Sequence, residues 1–411
     1  MSTRRSIVEG MAGLGLMTAW GCHATAAARR STPPAEAGLS EAAVSSAEWV
    51  TLPGKVPLIK RTFRPPNLET PAEYFRDPIT PNKAFFVRYH HSQIPEIDRN
   101  SWVLNLGGAA AAAGAQFTLQ QLRSGFEQVE VAALCLCSGN RRGLFSPHVA
   151  GVQWGSGAMG NARWRGVRLR DVLAKAGLNA DALEVAFDGE DGPVFPAAPD
   201  YQKSLPLDKA LDADTLIALE MNGQPLPQPH GAPARLVVPG WTATYWIKHL
   251  RSIEVRNAPF DNFWMKTGYR IPLGKFPGMR SFASQENSTN TPITEIIVNS
   301  IITSPLPASR VGRGRVVEVR GMAWDAGHGL QSVDVSTDRG VSWETAVLGR
   351  NLGRYSMRSW SHRITAPGQI GELKVWARAT SANGTAQPLE AVANPSGYHH
   401  NRIQMLDLVV A

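Results

Sequence analysis

The run from Val129 to Cys137, VEVAALCLC, constrains this chain more than any other stretch. Apolar and β-branched residues in so short a run read as a buried strand. The run ends on a thiol and passes into Ser138-Gly139-Asn140, a turn sequence, and then Arg141-Arg142. A strand that turns sharply at its end leaves its last side chain at the rim of a sheet, where ligands bind. A thiolate there suits a soft or high-valent metal. Two guanidiniums beside it suit an oxyanion, since each offers a planar fork of donors. A plainer reading also fits: the Cys as a small buried hydrophobe, the arginines as a solvated face.

The chain has 411 residues, enough for two domains with cores of their own. At 43% hydrophobic and 18% charged it is neither a disordered nor a membrane-embedded composition. The formal net charge of +8 is spread without a block of basic residues, so nucleic acid is not an expected partner.

Residues 1–28 read as an export signal: Arg4-Arg5, a weakly apolar run from Met11 to Trp20, then small residues around Ala24 to Ala27. Thr3-Arg4-Arg5-Ser6-Ile7-Val8 resembles a twin-arginine motif, which implies a periplasmic protein exported folded. The apolar run is too short to span a bilayer. Gly21-Cys22 leaves lipidation of Cys22 open. Cleavage after Ala26 removes Cys22 and leaves Cys135 and Cys137, whose side chains share one side of the strand. A disulfide between them would be badly strained. With no Cys-x-x-Cys-His and two remaining thiols, neither attached c-type haem nor an iron–sulfur cluster is expected.

Residues 29–50 are rich in Ala, Ser and Pro and read as a linker. Ala84 to His91, AFFVRYHH, reads as a strand with Phe86, Arg88 and His90 on one face. Thr118 is placed to cap a short helix, Leu119 to Arg123. Val167 to Ala176 reads as a second helix stopped by Gly177, and Thr215 to Met221 as a strand turning at Asn222-Gly223. His230-Gly231-Ala232-Pro233-Ala234-Arg235 precedes an apolar run, and Lys248 follows it; donors gathered in this way can hold a phosphate. There is no P-loop. From about Ile297 short strands alternate with turns such as Asp338-Arg339-Gly340, a spacing that argues an immunoglobulin-type sandwich.

Cys137-Ser138-Gly139-Asn140-Arg141-Arg142, with Gly151-Val152-Gln153-Trp154 and Gly160-Asn161-Ala162-Arg163-Trp164, resembles the molybdenum site of the sulfite oxidase family, and within it the bacterial sulfite dehydrogenases. The resemblance covers most of the chain after about residue 50. It implies an α+β fold: a molybdopterin domain over residues 51–290, then an all-β immunoglobulin-like sandwich over residues 291–411 that often makes a dimer contact. It implies Cys137 as the metal's protein ligand, Arg88, Arg142, Trp154 and Tyr269 around the substrate, and His90, His230, Arg235 and Lys248 on molybdopterin. Oxidation of sulfite to sulfate is the implied activity. The implied partner is a c-type cytochrome, met by a homodimer or by a heterodimer with a haem subunit, since no haem domain is read in this chain. One family feature has no clear counterpart: where animal enzymes bring a third substrate arginine, this chain has Ser396, with Arg402 as a nearby substitute. The rival readings are a reductase of the sulfoxide type on the same fold, a sulfane dehydrogenase subunit, and a secreted interaction module without catalysis.

The twin-arginine reading makes a prediction. Lys keeps the charge of Arg but not its guanidinium. Arg4→Lys with Arg5→Lys should therefore trap the protein in the cytoplasm. Unchanged periplasmic activity in a host that relies on twin-arginine export would rule it out.

Overall fold

The computed structural model describes residues 46, 48–193, 195–277 and 279–411. The expected signal, and the expected linker except 46 and 48–50, lie outside the described residues. The half before the sandwich is built on largely antiparallel sheets, with Leu250–Arg256 and Val103–Gly107 the parallel pair, and short helices between them. The strand Val129–Leu136 lies at one edge of a sheet, against the long strand Met159–Arg168, which pairs in turn with Leu216–Met221. A second sheet runs in the order Lys203–Pro206, Glu184–Gly189, Leu250–Arg256, Val103–Gly107, Ala115–Thr118. Residues from Asn299 onward form two facing sheets, one centred on Val316–Trp324 and the other on Gly371–Ser381. Their inward side chains, among them Val319, Val333, Val375 and Leu408, make the sandwich core. Among the described residues no helix is long and apolar enough to cross a membrane.

Period-two alternation gives the Val129–Leu136 strand two apolar faces. Ala133 and Cys135 enter the large core of the half before the sandwich. Leu134 and Leu136 point the other way and join Ile301, Met322 and Trp324 of the sandwich. Leu134 N also donates to Tyr355 O at 3.0 Å, which ties the strand edge to the sandwich by main chain. The strand that carries the thiol is thus also the strut between the halves.

Several elements match the sequence reading, and their physical causes are visible. Thr118 caps the helix Leu119–Ser124 through a reciprocal capping box with Gln121. Asn222 and Gly223 both take positive φ, 52° and 74°, as a two-residue hairpin requires. Gly177, φ 69°, stops the helix Leu169–Ala176. That helix begins later than Val167 because Val167 and Arg168 pair with Ile217 and Leu216. The strand expected over Ala84 to His91 shrinks to Val87–Arg88. The carbonyls of Phe85 and Arg88 accept from buried ammonium groups, Lys55 Nζ at 3.0 Å and Lys248 Nζ at 2.8 Å, rather than from a neighbouring strand.

Met159–Arg168 was not evident from composition, since Gly160, Asn161 and Gly166 weaken any strand pattern. The glycines are there because backbones and rings approach closely. A Cβ on Gly166 would stand 2.0 Å from Ile217 O and 2.8 Å from Ala218 Cα. Gly166→Ala should cost about 1–3 kcal/mol or more in urea unfolding, since neither contact is a flexible side chain. Wild-type stability in that variant would mean that the two strands separate readily.

Candidate active site

The Val129–Leu136 strand ends one residue before Cys137, and the turn after it is closed by its own main chain. Asn140 N donates to Cys137 O at 2.9 Å and Arg142 N to Gly139 O at 3.0 Å. Asn140 Oδ1 accepts from Ala158 N at 3.0 Å, which fixes the turn to the next strand. Arg141 sits at φ 68° and sends its guanidinium to Asn299 Oδ1 at 2.8 Å, in the sandwich half. The double-arginine signature therefore splits: Arg141 ties the halves together, while Arg142 turns the other way. A Cβ on Gly139 or Gly151 would meet the Arg142 guanidinium at 2.8 Å, so both glycines clear its path.

Arg88, His90 and Cys137 line one cavity. His230, Arg235, Lys248 and Tyr269 line the same cavity. Arg142 lies outside this lining. Its Nε donates to Ser396 O at 2.9 Å, its Nη1 to Val152 O at 3.2 Å, and it stands 5.2 Å over the Tyr398 ring. Its field still reaches the cavity: burial pushes the Tyr269 phenol up, while Arg88, then Arg142, pull it back. Trp154, expected in the lining, is instead 1% exposed in the large apolar core. Arg402, the expected substitute for a third arginine, donates to Leu389 O and pairs with Glu390 at 3.5 Å, away from the cavity.

The cavity's electrostatics are one-sided. Arg88, Arg235 and Lys248 bring three cations, and Asp191 is the one carboxyl lining it among the described residues. Arg235 is clasped between the rings of Trp164 at 5.1 Å and Trp246 at 5.7 Å, and its Nε is buried with no partner. Burial pushes the Asp191 carboxyl up to about 7, against the pull of Lys248. Burial, then Arg88 and Lys248, holds His90 far below the usual imidazole range, and burial with Lys55 and Arg235 does the same to His230. Both imidazoles are therefore neutral. His90 Nε2 lies 2.5 Å from Tyr269 Oη, and its ring stacks on Tyr201 at 3.5 Å.

A surplus of buried positive charge is unfavourable unless an anion meets it. The site is therefore complementary to an anionic ligand. Cys137 is half-buried, whereas the neighbouring Cys135 is enclosed and burial pushes its thiol up to about 11. No group of three or more His, Cys, Asp or Glu that could cage a metal occurs among the described residues. A metal here would be held by one thiolate together with donors that a cofactor brings. These residues fit a molybdopterin group, which carries both a phosphate and sulfur donors of its own.

Lys55, Asp191, Tyr201 and Lys203 belong to this site or its walls and were not singled out in the sequence. Lys55 Nζ contacts His230 Nε2 and donates to Asn82 O at 2.6 Å. Lys203 is fully buried, donates to Trp264 O at 2.7 Å and faces the Tyr245 and Tyr269 rings at 4.6 and 5.5 Å. The available signal was a solitary lysine inside an apolar run, in Leu52-Pro53-Gly54-Lys55-Val56 and Lys203-Ser204-Leu205.

The chain also matches known proteins along most of its length. A family model described as the oxidoreductase molybdopterin binding domain matches residues 91–264, and the Mo-co oxidoreductase dimerisation domain matches residues 290–405. Mitochondrial sulfite oxidase of Homo sapiens is 34% identical over 349 residues, covering 82% of this chain and 62% of that protein. Sulfite oxidase of Gallus gallus is 34% identical over 337 residues, covering 79% and 72%. The chain thus spans about three fifths of the length of the mitochondrial relatives it matches, 60% to 62% in the mammalian ones. Among solved structures, the sulfane dehydrogenase SoxCD from Paracoccus pantotrophus superposes with a TM-score of 0.72 at 26% identity, over 90% of each chain.

The charge argument predicts anion-dependent stability in protein prepared without cofactor. Inorganic phosphate should raise the wild-type Tm, and at a hundred times its dissociation constant it would add about 2.7 kcal/mol. Lys248→Met should weaken phosphate binding about tenfold to a hundredfold, the size of a charge-assisted hydrogen bond. An equal phosphate-induced shift in the variant would show that Lys248 does not face the anion.

Proposed function

This chain belongs to the sulfite oxidase family of molybdopterin oxidoreductases, and we propose that it oxidises sulfite to sulfate and passes the electrons singly to a c-type cytochrome. The observation that carries this reading is the single cavity that joins the Cys137 thiol to a surplus of buried cationic groups. The molybdenum–molybdopterin group supplies, when bound, the oxygen-atom transfer and the two-electron redox chemistry.

The residues of the chain do the rest. Cys137 holds the metal. His90, His230, Arg235 and Lys248 hold the pterin and its phosphate. Arg88 binds the substrate oxyanion, and Arg142 adds charge from behind Tyr269, whose phenol both arginines influence. These charges are braced before substrate arrives: the Arg88 guanidinium by Tyr89 O, Arg142 by Ser396 O. Preorganised charge needs no reorganisation as the reaction proceeds. Tyr269 Oη, paired with the neutral His90 Nε2, is placed to hold a proton at the substrate. Trp154 supports the site from the core beside it. The protein acts in the periplasm after twin-arginine export, as a homodimer through the sandwich or with a haem-bearing subunit.

A second reading, oxidation of sulfane sulfur, draws on one specific feature. The main-chain carbonyl of Ser396, not another guanidinium, faces Arg142, which makes this end of the site less cationic. It is also consistent with the likeness to sulfane dehydrogenase. Reduction of the purified holoprotein by sulfite, followed by electron paramagnetic resonance of the metal, separates the two: a protein that stays oxidised in sulfite sinks the first reading.

Variants separate the pockets. Cys137→Ser should abolish turnover with the fold kept, and Cys135→Ser should be milder. Arg142→Met should lower kcat/KM for sulfite several-fold, since it removes charge behind Tyr269 but no bond to the substrate, with molybdenum content near wild type. Arg235→Met should instead lower molybdenum and pterin content, with activity per bound metal little changed. Metal lost in the first and sulfite affinity lost in the second would mean that the assignments are exchanged.

A further inference from the structure

Behind the metal-binding thiol lies a second, smaller cavity, with about 20 Å³ open to the centres of water molecules. Cys137 and Ser138 line both cavities, so this residue pair is the partition between them. Asn140 and Thr242 line the small cavity from the catalytic half, and His399 and His400 from the sandwich half. Ser138, Asn140, Thr242, His399 and His400 are all at least nine-tenths buried. Each of them turns at least one atom to no partner: Ser138 Oγ, Asn140 Nδ2, Thr242 Oγ1, His399 Nε2 and His400 Nδ1.

Buried polar atoms in folded proteins are almost always paired. Each orphan costs about as much as a hydrogen bond or more, and this many around one small space would rival the whole stability of a domain. A ligand in the cavity they line would pair them, and their chemistry says which. The Asn140 amide nitrogen can only donate, while the hydroxyls both donate and accept. Burial pushes His399 down to about 3 and His400 down to about 4, so each is a neutral ring with one donor and one acceptor nitrogen. An anion would leave the acceptors unpaired, and a cation would leave the Asn140 donor unpaired. Water satisfies both, with two to four bonds per molecule, and the space admits one or two molecules.

We propose that this cavity holds one or two ordered waters, and that they are the water and proton port of the metal site. The port rests on the sulfite reading above; the water site does not. In that reading sulfite and one water give sulfate, two protons and two electrons. The water's oxygen ends on sulfur, both of its protons leave, and the electrons pass one at a time to the c-type cytochrome. The large cavity is a poor exit for protons, because Arg88, Arg235 and Lys248 line it. The small cavity is lined by no Lys or Arg, although Arg141 reaches Asn299 Oδ1 at its edge. It also lies on the seam between the halves, apart from the Arg88, Arg235 and Lys248 side of the thiol. Ser138 Oγ, adjacent in sequence to the thiol, is the first hydroxyl on that route.

Thr242→Val tests the water site, since it keeps the shape and deletes one orphan hydroxyl. A crystal structure of the wild-type holoprotein should show water within hydrogen-bond distance of Thr242 Oγ1 and His399 Nε2; a dry or collapsed cavity overturns the site. Thr242→Val should lower Tm, because a bound water loses a partner. A raised Tm, as expected when an unpaired hydroxyl is removed, also overturns it. For the port, kcat with sulfite should fall several-fold in Thr242→Val and the solvent deuterium isotope effect on kcat should grow. KM for sulfite and molybdenum content should stay within twofold, and Thr242→Ser should restore wild-type behaviour. Unchanged kcat and isotope effect, with water seen and Tm lowered, overturns the port and leaves a structural water. A wild-type protein inert to sulfite sinks the functional reading and the port with it, while the crystal and Tm results still decide the water site.

Discussion

Alternation along one strand holds the molecule and its site together. Between Val129 and Leu136, odd and even positions must face opposite ways. The odd side chains Ala133 and Cys135 belong to the catalytic core, and the even ones, Leu134 and Leu136, to the apolar seam with the sandwich. Truncating a buried leucine of this kind costs about 2–5 kcal/mol. The seam is thus strong enough to hold the strand in register, and register decides where its last residue points. Cys137 continues the odd series, so the thiol faces the cavity because Leu136 faces the sandwich. Arg141 to Asn299 adds a polar tie across the same seam, immediately beyond the thiol.

The second constraint is buried charge. Lys55, Lys203, Arg235 and Lys248 have all been taken out of water, and burial lowers the pKa of each. The protein meets part of that cost with main-chain carbonyls and aromatic faces: Trp264 O and Tyr245 for Lys203, Arg88 O and Tyr89 for Lys248. Neutral dipoles and rings compensate incompletely, which leaves the cavity poised for an anion. The same carbonyl contacts explain the irregular backbone from Phe85 to His90. Around these cations the ladder is cut to the short pairing of Val87–Arg88 with Asn67 and Leu68.

Motif-borne features were legible before any coordinates. The turn after Cys137, the Thr118 cap, the Asn222-Gly223 hairpin and the Gly177 stop all depend on residues close in sequence, and local chemistry decides them. The immunoglobulin-like sandwich was legible from the spacing of its turns. Solitary residues were not. Lys203 sits in a run that reads as an ordinary strand, and nothing local says that its ammonium will lie over Tyr245, far along the chain. Trp154 shows the opposite error: placed in the cavity lining by resemblance, it is packed into the core. A motif specifies residue types, and the direction in which a ring points is settled by what packs around it.

The division follows from the range of the forces. The sequence by itself determined the thiol at a strand end, the turn after it, the two-part architecture and the family, since each rests on neighbouring residues or on the order of short elements. Only the tertiary structure decided that Arg88, Arg235 and Lys248 share one cavity with Asp191, that Arg141 and Arg142 part company, and that His399 and His400 meet Thr242 behind the thiol. Those juxtapositions join residues many tens of positions apart. They are set by which apolar faces are buried against one another, and electrostatics acts only on the arrangement that burial has already made.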